Sequence, residues 1–440
     1  MLRLYNTMVR DEQAFEPRHG RDRVKIFTCG PSTYRRPHIG NYRTFLYEDV
    51  LVRYLEYSGC TVQRVINFTD VEDKTLEEAL EQGRKVEEIT SAVADHFARE
   101  TRLLAIKLPP HIPRSSTSVD QAVELIQRLL EKGCAYWHEG NVFFDALKFE
   151  GFGKLYGLDL SGWPKKKVRF KRDTYNGRRW NLGDFILWHG ESPSNHELHA
   201  TAAWDTAIGR GRPSWNIQDP AIITKHLGYT VDINCGGIDN IYRHHDYNIA
   251  IIESLSGQEY ANIYMHGEHL IVDGKPMSKS RRNILYPEDI LDSSCEARQL
   301  RFFLLHTHYR KKLNFTVDRF RSACLLLGDI RAAIKALLDP GSGRKPSAPA
   351  ELRQSRAYRR ARTLRKSWEA AAAGDLPGHI ERAFRKNMDD DLHIGAAVDE
   401  VYAILMELEA RDARSPLAAD TRAALESVLT EADTVCRVLL

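Results

Sequence analysis

The sequence has no CxxC pair, no GxGxxG turn, no apolar N-terminal segment and no apolar run long enough to cross a membrane. Each absence removes a class. Its seven cysteines (Cys29, Cys60, Cys134, Cys235, Cys295, Cys324 and Cys436) are scattered and odd in number, which argues against a disulfide framework and against a zinc ribbon. Without GxGxxG, a dinucleotide is not the natural ligand. The opening MLRLYNTMVRDEQ carries charges where a signal peptide needs an apolar core, so a cytoplasmic protein in a reducing compartment is expected. There is little charge bias either. The 63 Lys and Arg against 60 Asp and Glu leave a net charge of +3, so a polyanionic partner would have to be met by local clusters.

What is present is enough for several cores. A chain of 440 residues with a hydrophobic share of 42% suggests about three domains. DRVKIFTCG (22–30) alternates like a strand and ends at glycine. NYRTFLYEDVLVRYLEYSG (41–59) repeats its apolar residues at helical spacing, and TVQRVINFT (61–69) reads as a second strand. Strand, helix, strand is a βαβ unit and predicts a parallel sheet whose ligands sit at the carboxyl ends of its strands. Here that means near Cys29 and near Thr69–Asp70. Residues from about 105 to 195 differ, with PPHIPRSS, a helix at 119–133 and NVFFDAL (141–147). They read as an insertion. Sheet-like sequence returns with TVDINCGG (230–237), a helix at 244–257 and HLIVDGKP (269–276); after the Gly- and Pro-rich 337–352 the chain is helical by composition.

Two short motifs carry chemistry. HIGN (His38–Asn41) opens the first helix, where free backbone N–H groups and the helix dipole favour phosphate. Gly40 lets a flat ring approach the backbone, and His38 can donate to phosphate oxygens. GKPMSKSRRN (274–283) is a basic, polar stretch whose lysines can clamp a triphosphate and stabilise departing pyrophosphate. Either alone reads as an incidental helix start or a solvated turn. Together on one βαβ sheet they resemble the HIGH and KMSKS signatures of class I aminoacyl-tRNA synthetases. FTCGPSTYRRPHIGNYRTF, NFTDVEDK, GDFILW, GRPSW, CGGIDNIYRHHDYN, LRFFLLHTHYRKKLNF and MDDDLH, in that order, resemble the cysteinyl-tRNA synthetase family.

The resemblance implies a Rossmann-like class I catalytic domain in two halves (1–105 and 196–295) around an inserted connective subdomain (106–195). A stem-contact helical region (296–336), a linker (337–352) and a helical bundle (353–440) follow. It implies ATP with Mg2+ and formation of an aminoacyl-adenylate. His38 and Asn41 would hold ATP phosphates, and Lys279 would stabilise pyrophosphate, with Met277, Ser278 and Ser280 shaping its loop. Gly237 and Asp239 would contact the ribose. Cys29, Thr69, Trp215, Asp219, His244 and Asn248 would line the amino-acid pocket.

The same resemblance exposes departures. The family holds a zinc ion on two cysteines, a histidine and a glutamate, and uses it to bind a substrate thiolate. Here Cys29 and His244 remain, while the second cysteine position is Asp219 and the glutamate position is Asn248. A neutral amide is a poor zinc ligand, so the expectation is against tight Zn2+, with Cys29, His244 and Asp219 as a vestigial set and Asp219 free to pair with a polar or cationic substrate side chain. Pro276 stands where the signature usually has lysine, stiffening the loop. The sequence ends at Leu440, about where the family's anticodon-reading domain would begin, so that domain is expected to be absent. The basic clusters at 164–172 and 356–366 could face a tRNA backbone or simply solvent. Two acceptors stay open: a tRNA, or a small-molecule or protein amine, as in the related cysteine ligase of mycothiol synthesis. A catalytically dead regulator is disfavoured because the phosphate-binding residues are kept.

Overall fold

Four strands organise the molecule: Arg23–Thr28, Thr61–Ile66, Val231–Gly237 and Ala261–Gly267. In the computed structural model, which describes residues 1–20, 22–161, 183–191, 202–291, 296–339 and 348–440, they form one sheet. Its spatial order is Ala261–Gly267, Val231–Gly237, Arg23–Thr28, Thr61–Ile66, and every pairing is parallel. Ile233 stands opposite both Ile26 and Ile263, and all three are buried, as expected when helices cover both faces of a sheet. The chain leaves Thr28 towards one side and returns at Val231 on the other. The switch point between these two strands, where ligands bind in such sheets, therefore lies at Cys29 and Gly237.

The Ile39–Tyr57 helix follows the first strand, and apolar residues such as Tyr42, Leu46, Val50 and Leu55 bury it deeply. Its buried charges have partners, although Glu48 Oε1 and Arg43 Nε make no hydrogen bond. Asp49 meets Arg301 at 2.7 Å with both side chains fully buried, and Arg301 also donates to the Cys436 and Leu104 carbonyls. Removing one partner of such a pair costs about 3–5 kcal/mol. Arg43 is buried without a carboxylate partner among the described residues. It donates instead to the carbonyls of Glu268, His269, His308 and Lys311. Burial brings its pKa down to about 10.

The inserted region is built on an antiparallel sheet ordered Ala135–His138, Asn141–Phe144, Phe185–Gly190, Gly209–Pro213, Trp204–Thr206. It reaches Pro213, past the boundary at 195 that composition suggested. NVFFDAL, expected as one strand, bends after Phe144 because the Asp145 side chain caps a short turn at Leu147. The stretch 244–257 starts its regular helix at Asp246, after an irregular turn in which Arg243 has φ +69°. HLIVDGKP folds as a hairpin of Leu270–Val272 and Lys275–Pro276, whose first strand also pairs in parallel with Leu313–Phe315.

Helices Val317–Leu338, Arg356–Arg365, Leu376–Met388, Ile394–Asp412 and Ala419–Cys436 follow. Asp391 joins them to the rest: it accepts from the Tyr5 amide, the Tyr309 hydroxyl and Arg310. In the basic run 356–366, Arg360 and Arg365 pair with Asp399 and Glu407, so part of that charge is spent inside the protein. The 164–172 cluster, Cys295 and the middle of the expected linker lie outside the described residues. Among those described, no helix is long and apolar enough to cross a membrane.

Candidate active site

A cavity of about 910 Å³ opens at the switch point. Three loops at the carboxyl ends of the parallel strands build it: 29–38, 67–74 and 237–244. The 278–286 segment closes its far side.

At one end stands the start of the first helix. His38 is the N-cap: its Nδ1 accepts from the Asn41 amide at 3.3 Å, and Asn41 Oδ1 accepts from the His38 amide at 3.0 Å. This reciprocal box leaves His38 Nε2 as the protonated ring nitrogen, because Nδ1 is the acceptor. Burial lowers the His38 pKa, with Asp239 opposing the shift. His38, Asn41, Gly237, Asp239, Ser278 and Lys279 all line the cavity, so the two sequence motifs 235 residues apart do meet. Gly40, Met277 and Ser280 do not line it. Instead, Met277 packs over Gly40, where a Cβ would come within 2.8 Å of the methionine methyl carbon. The Ile39 amide donates to the Leu285 carbonyl at 3.0 Å, and Arg36 bridges Glu100 and Glu288, so the two loops are also tied directly. Pro276 sits in the hairpin, and its carbonyl accepts from Asn283 at 3.2 Å.

The other end holds Cys29, Thr69, Trp215, Asp219 and His244. Trp215 stacks on the His244 ring at 4.2 Å and 10°. His244 Nε2 lies 2.9 Å from Asp219 Oδ2, Asn67 Nδ2 donates to Asp219 Oδ1 at 2.8 Å, and Cys29 Sγ is 3.7 Å from Oδ2. Both Asp219 oxygens therefore already have protein partners, which corrects the expectation of a carboxylate free for a substrate side chain. Two other expected residues fall away from the cavity. Asp70 is buried, held by the Ser116 amide, the Ser116 hydroxyl and Arg114, and does not line the cavity. Asn248 is fully buried with neither amide atom hydrogen-bonded.

Residues not anticipated complete this end. His245 Nδ1 is 3.1 Å from Asn234 Nδ2 and 2.8 Å from His266 Nε2, while its Nε2 is 3.0 Å from Cys29 Sγ. Since Asn234 Nδ2 can only donate, the His245 proton sits on Nε2 and faces the sulfur. Burial, then His266 and His244, drives His245 well below the usual histidine pKa, and burial brings His266 to about 3. Burial, then Asp219, pushes the Cys29 thiol well up. Glu72 also lines the cavity, and burial raises it to about 7. His266 ends a parallel strand, so the switch-point rule could have found it; Asn67 and Glu72 lie within NFTDVEDK beside Thr69.

This end can be tested as a metal centre. Cys29, His244 and His245 bring ligand atoms within 4.8 Å of one another, but the His245 tautomer turns a proton, not a lone pair, towards the site. Cys29 Sγ, His244 Nε2 and Asp219 Oδ2 offer one sulfur, one nitrogen and one oxygen, with Oδ2 3.7 Å from the sulfur and 2.9 Å from the nitrogen; the His244 proton that faces Asp219 would have to move to the unpartnered Nδ1 for Nε2 to ligate. The donor set fits zinc as a three-ligand site, weaker than one with a second thiolate.

Comparison with known proteins agrees with this geometry. Residues 15–325 match the family model described as tRNA synthetases class I (C) catalytic domain. A Cysteine--tRNA ligase of Chlamydia pneumoniae is 36% identical over 349 residues, covering 78% of this chain and 72% of the relative. A Cysteine--tRNA ligase of Leptospira interrogans is 33% identical over 399 residues, covering 90% and 82%. Among solved structures, a methionyl-tRNA synthetase of Mycobacterium tuberculosis bound by methionyl-adenylate superposes with a TM-score of 0.60 at 14% identity, covering 95% of this chain and 90% of that one. That likeness concerns the fold.

Proposed function

Because the chain belongs to the cysteinyl-tRNA synthetase family of class I synthetases, we propose that it activates an amino acid with ATP and passes it to an acceptor, in the manner of a cysteine--tRNA ligase. The observation that carries this reading is the meeting of His38, Asn41 and Lys279 around one cavity at the sheet's switch point.

The ATP phosphates lie between the N-terminus of the Ile39–Tyr57 helix and the 274–283 loop, with Mg2+ accompanying them. His38 Nε2–H and the helix amides donate to phosphate oxygens, and Gly237 and Asp239 face the ribose. The amino-acid carboxylate attacks the α-phosphorus in line. The bond to the β-phosphate breaks and pyrophosphate leaves with the electron pair, its charge met by Lys279. The protein holds the reactants and stabilises charge. An acceptor hydroxyl or amine then attacks the carbonyl of the mixed anhydride, loses its proton and displaces AMP.

The substrate side chain points towards Cys29, Trp215, Asp219 and His244. If zinc resides there, Cys29, His244 and Asp219 hold it, and it supplies a soft Lewis acid that favours a thiolate. Amino-acid-dependent pyrophosphate exchange, screened over all proteinogenic amino acids, tests the reading. Exchange stimulated by cysteine supports it with the family's own substrate, exchange with another amino acid relocates the specificity, and no exchange with any refutes it. Metal analysis of the purified protein runs alongside.

A further inference from the structure

The cavity wall holds an arginine to which the adenylation steps assign no task. Arg36 lines the cavity two residues before the His38 cap, yet its guanidinium is engaged by carboxylates. Nη1 and Nη2 donate to the two oxygens of Glu288 as a fork, and Nε donates to Glu100 Oε1 at 2.9 Å. The Tyr286 ring faces the same guanidinium at 5.0 Å, and the Tyr42 hydroxyl donates to the other Glu100 oxygen. One cluster thus joins the segment before the first helix, that helix itself, the Val86–Leu103 helix and the segment that follows the lysine loop.

Three properties mark the cluster as serving geometry rather than charge. Two carboxylates on one guanidinium leave a surplus negative charge, which opposes a polyanion; an unshared arginine would attract phosphate better. The fork is also directional. A bidentate guanidinium–carboxylate pair fixes distance and orientation together, which a lysine cannot do, and it holds Glu288 below the usual carboxylate pKa. The Ile39 amide donates to the Leu285 carbonyl at 3.0 Å, but a single hydrogen bond is a pivot. The fork three residues further on removes the rotation that the pivot allows. Finally, the position is passed on towards Lys279. The Tyr286 amide donates to Asp289 at 2.7 Å, and the Ser278 amide, next to Lys279, donates to the Asn283 side chain at 3.0 Å. The near end of the loop is set in the hairpin by the pairing of Val272 with Lys275.

We propose that Arg36 is a positioning residue for adenylation: its fork to Glu288 holds the far end of the lysine loop against the start of the first helix, and so sets Lys279 where pyrophosphate departs. The tie itself rests on these contacts, and its effect on pyrophosphate rests on the adenylation reading.

The test uses the full chain and three variants. Glu288→Gln turns an amide NH2 against one N–H of the fork at a position 58% exposed. Arg36→Lys keeps a cation beside Glu100 but loses the fork, and the third variant combines the two. In amino-acid-dependent pyrophosphate exchange, each single variant should lower kcat and raise KM for ATP, by about tenfold in kcat/KM. The amino-acid KM should stay at the wild-type value. The double variant should be no worse than the poorer single one, because both changes remove the same contact. Without substrates, trypsin cleavage after Lys279, Arg281 and Arg282, followed by mass spectrometry, should quicken by about fivefold in all three. The Glu288→Gln thermal midpoint should stay at the wild-type value, since the pair is partly exposed. Wild-type kcat/KM for ATP in Glu288→Gln overturns the proposal, as do additive losses or an equal rise in both KM values. Losses that follow a lowered thermal midpoint also overturn it, in favour of a purely structural role. Exchange absent from the wild type refutes the adenylation reading, and the cleavage rates then decide the tie alone: faster cutting in the variants upholds it, and equal cutting overturns it.

Discussion

The two ends of the cavity solve opposite problems. At the nucleotide end, polar groups are held ready but left open: the His38–Asn41 box presents a ring N–H and helix amides, and Lys279 stands on an exposed turn. At the side-chain end the polar groups already answer one another. Asp219 serves Asn67 and His244, Trp215 covers His244, and His245 donates to Cys29. An open end suits a ligand that brings charge and leaves as two products. A satisfied end suits discrimination, because any entering side chain must do at least as well as the partners it displaces. On the proposed function, chemistry and selectivity would be divided along one cavity.

That division can be broken by substitution. Lys279→Ala should lower amino-acid-dependent pyrophosphate exchange by about 100-fold or more, with the thermal midpoint unmoved; an exchange rate at the wild-type value would remove the loop from the mechanism. Asp219→Asn should behave in the opposite sense. It weakens the His244 contact and should cost about 1–3 kcal/mol of stability, and it should raise KM for the amino acid while KM for ATP holds. A rise in both would mean that the ends are not separate. Asp219→Cys places a second thiolate beside Cys29 and His244, and zinc retained after chelator dialysis should climb towards about one ion per chain. The smallest effect concerns Glu72, whose carboxyl is raised from 4.5 to about 7 by burial. A raised carboxyl favours the folded state when protonated, so its contribution is present below pH 4.5 and is lost as the pH rises through about 7. Glu72→Gln should therefore match the wild type in urea midpoint at pH 4.5 and exceed it at pH 8.

The parallel sheet and the meeting of HIGN with MSKS were legible because both rest on local signals: alternation, helical period, and a residue set at a helix start of the kind that suits a phosphate. The extent of the inserted sheet was not. Its last strands, Trp204–Thr206 and Gly209–Pro213, are short and polar, so they carry no period to read. The side-chain end was half legible. Its members could be named from motifs, but the engagement of Asp219 depends on Asn67, which comes from another strand's end 152 residues away. Asn248 shows the limit of reading by position: it occupies a ligand's place in the motif, yet it is buried away from the cavity lining.

The guanidinium of Arg43 has a mechanical consequence. Four carbonyls from two segments converge on it; one segment runs into the hairpin that bears the lysine loop, and the other precedes the strand beneath that hairpin. The root of the loop is thereby bolted to the helix that begins at His38. Between Gly274 at φ +75° and Arg282 at φ +52°, Lys279 thus stands on a strap of nine residues fastened at both ends, and Asn283 ties it across its base through the Ser278 amide and the Pro276 carbonyl.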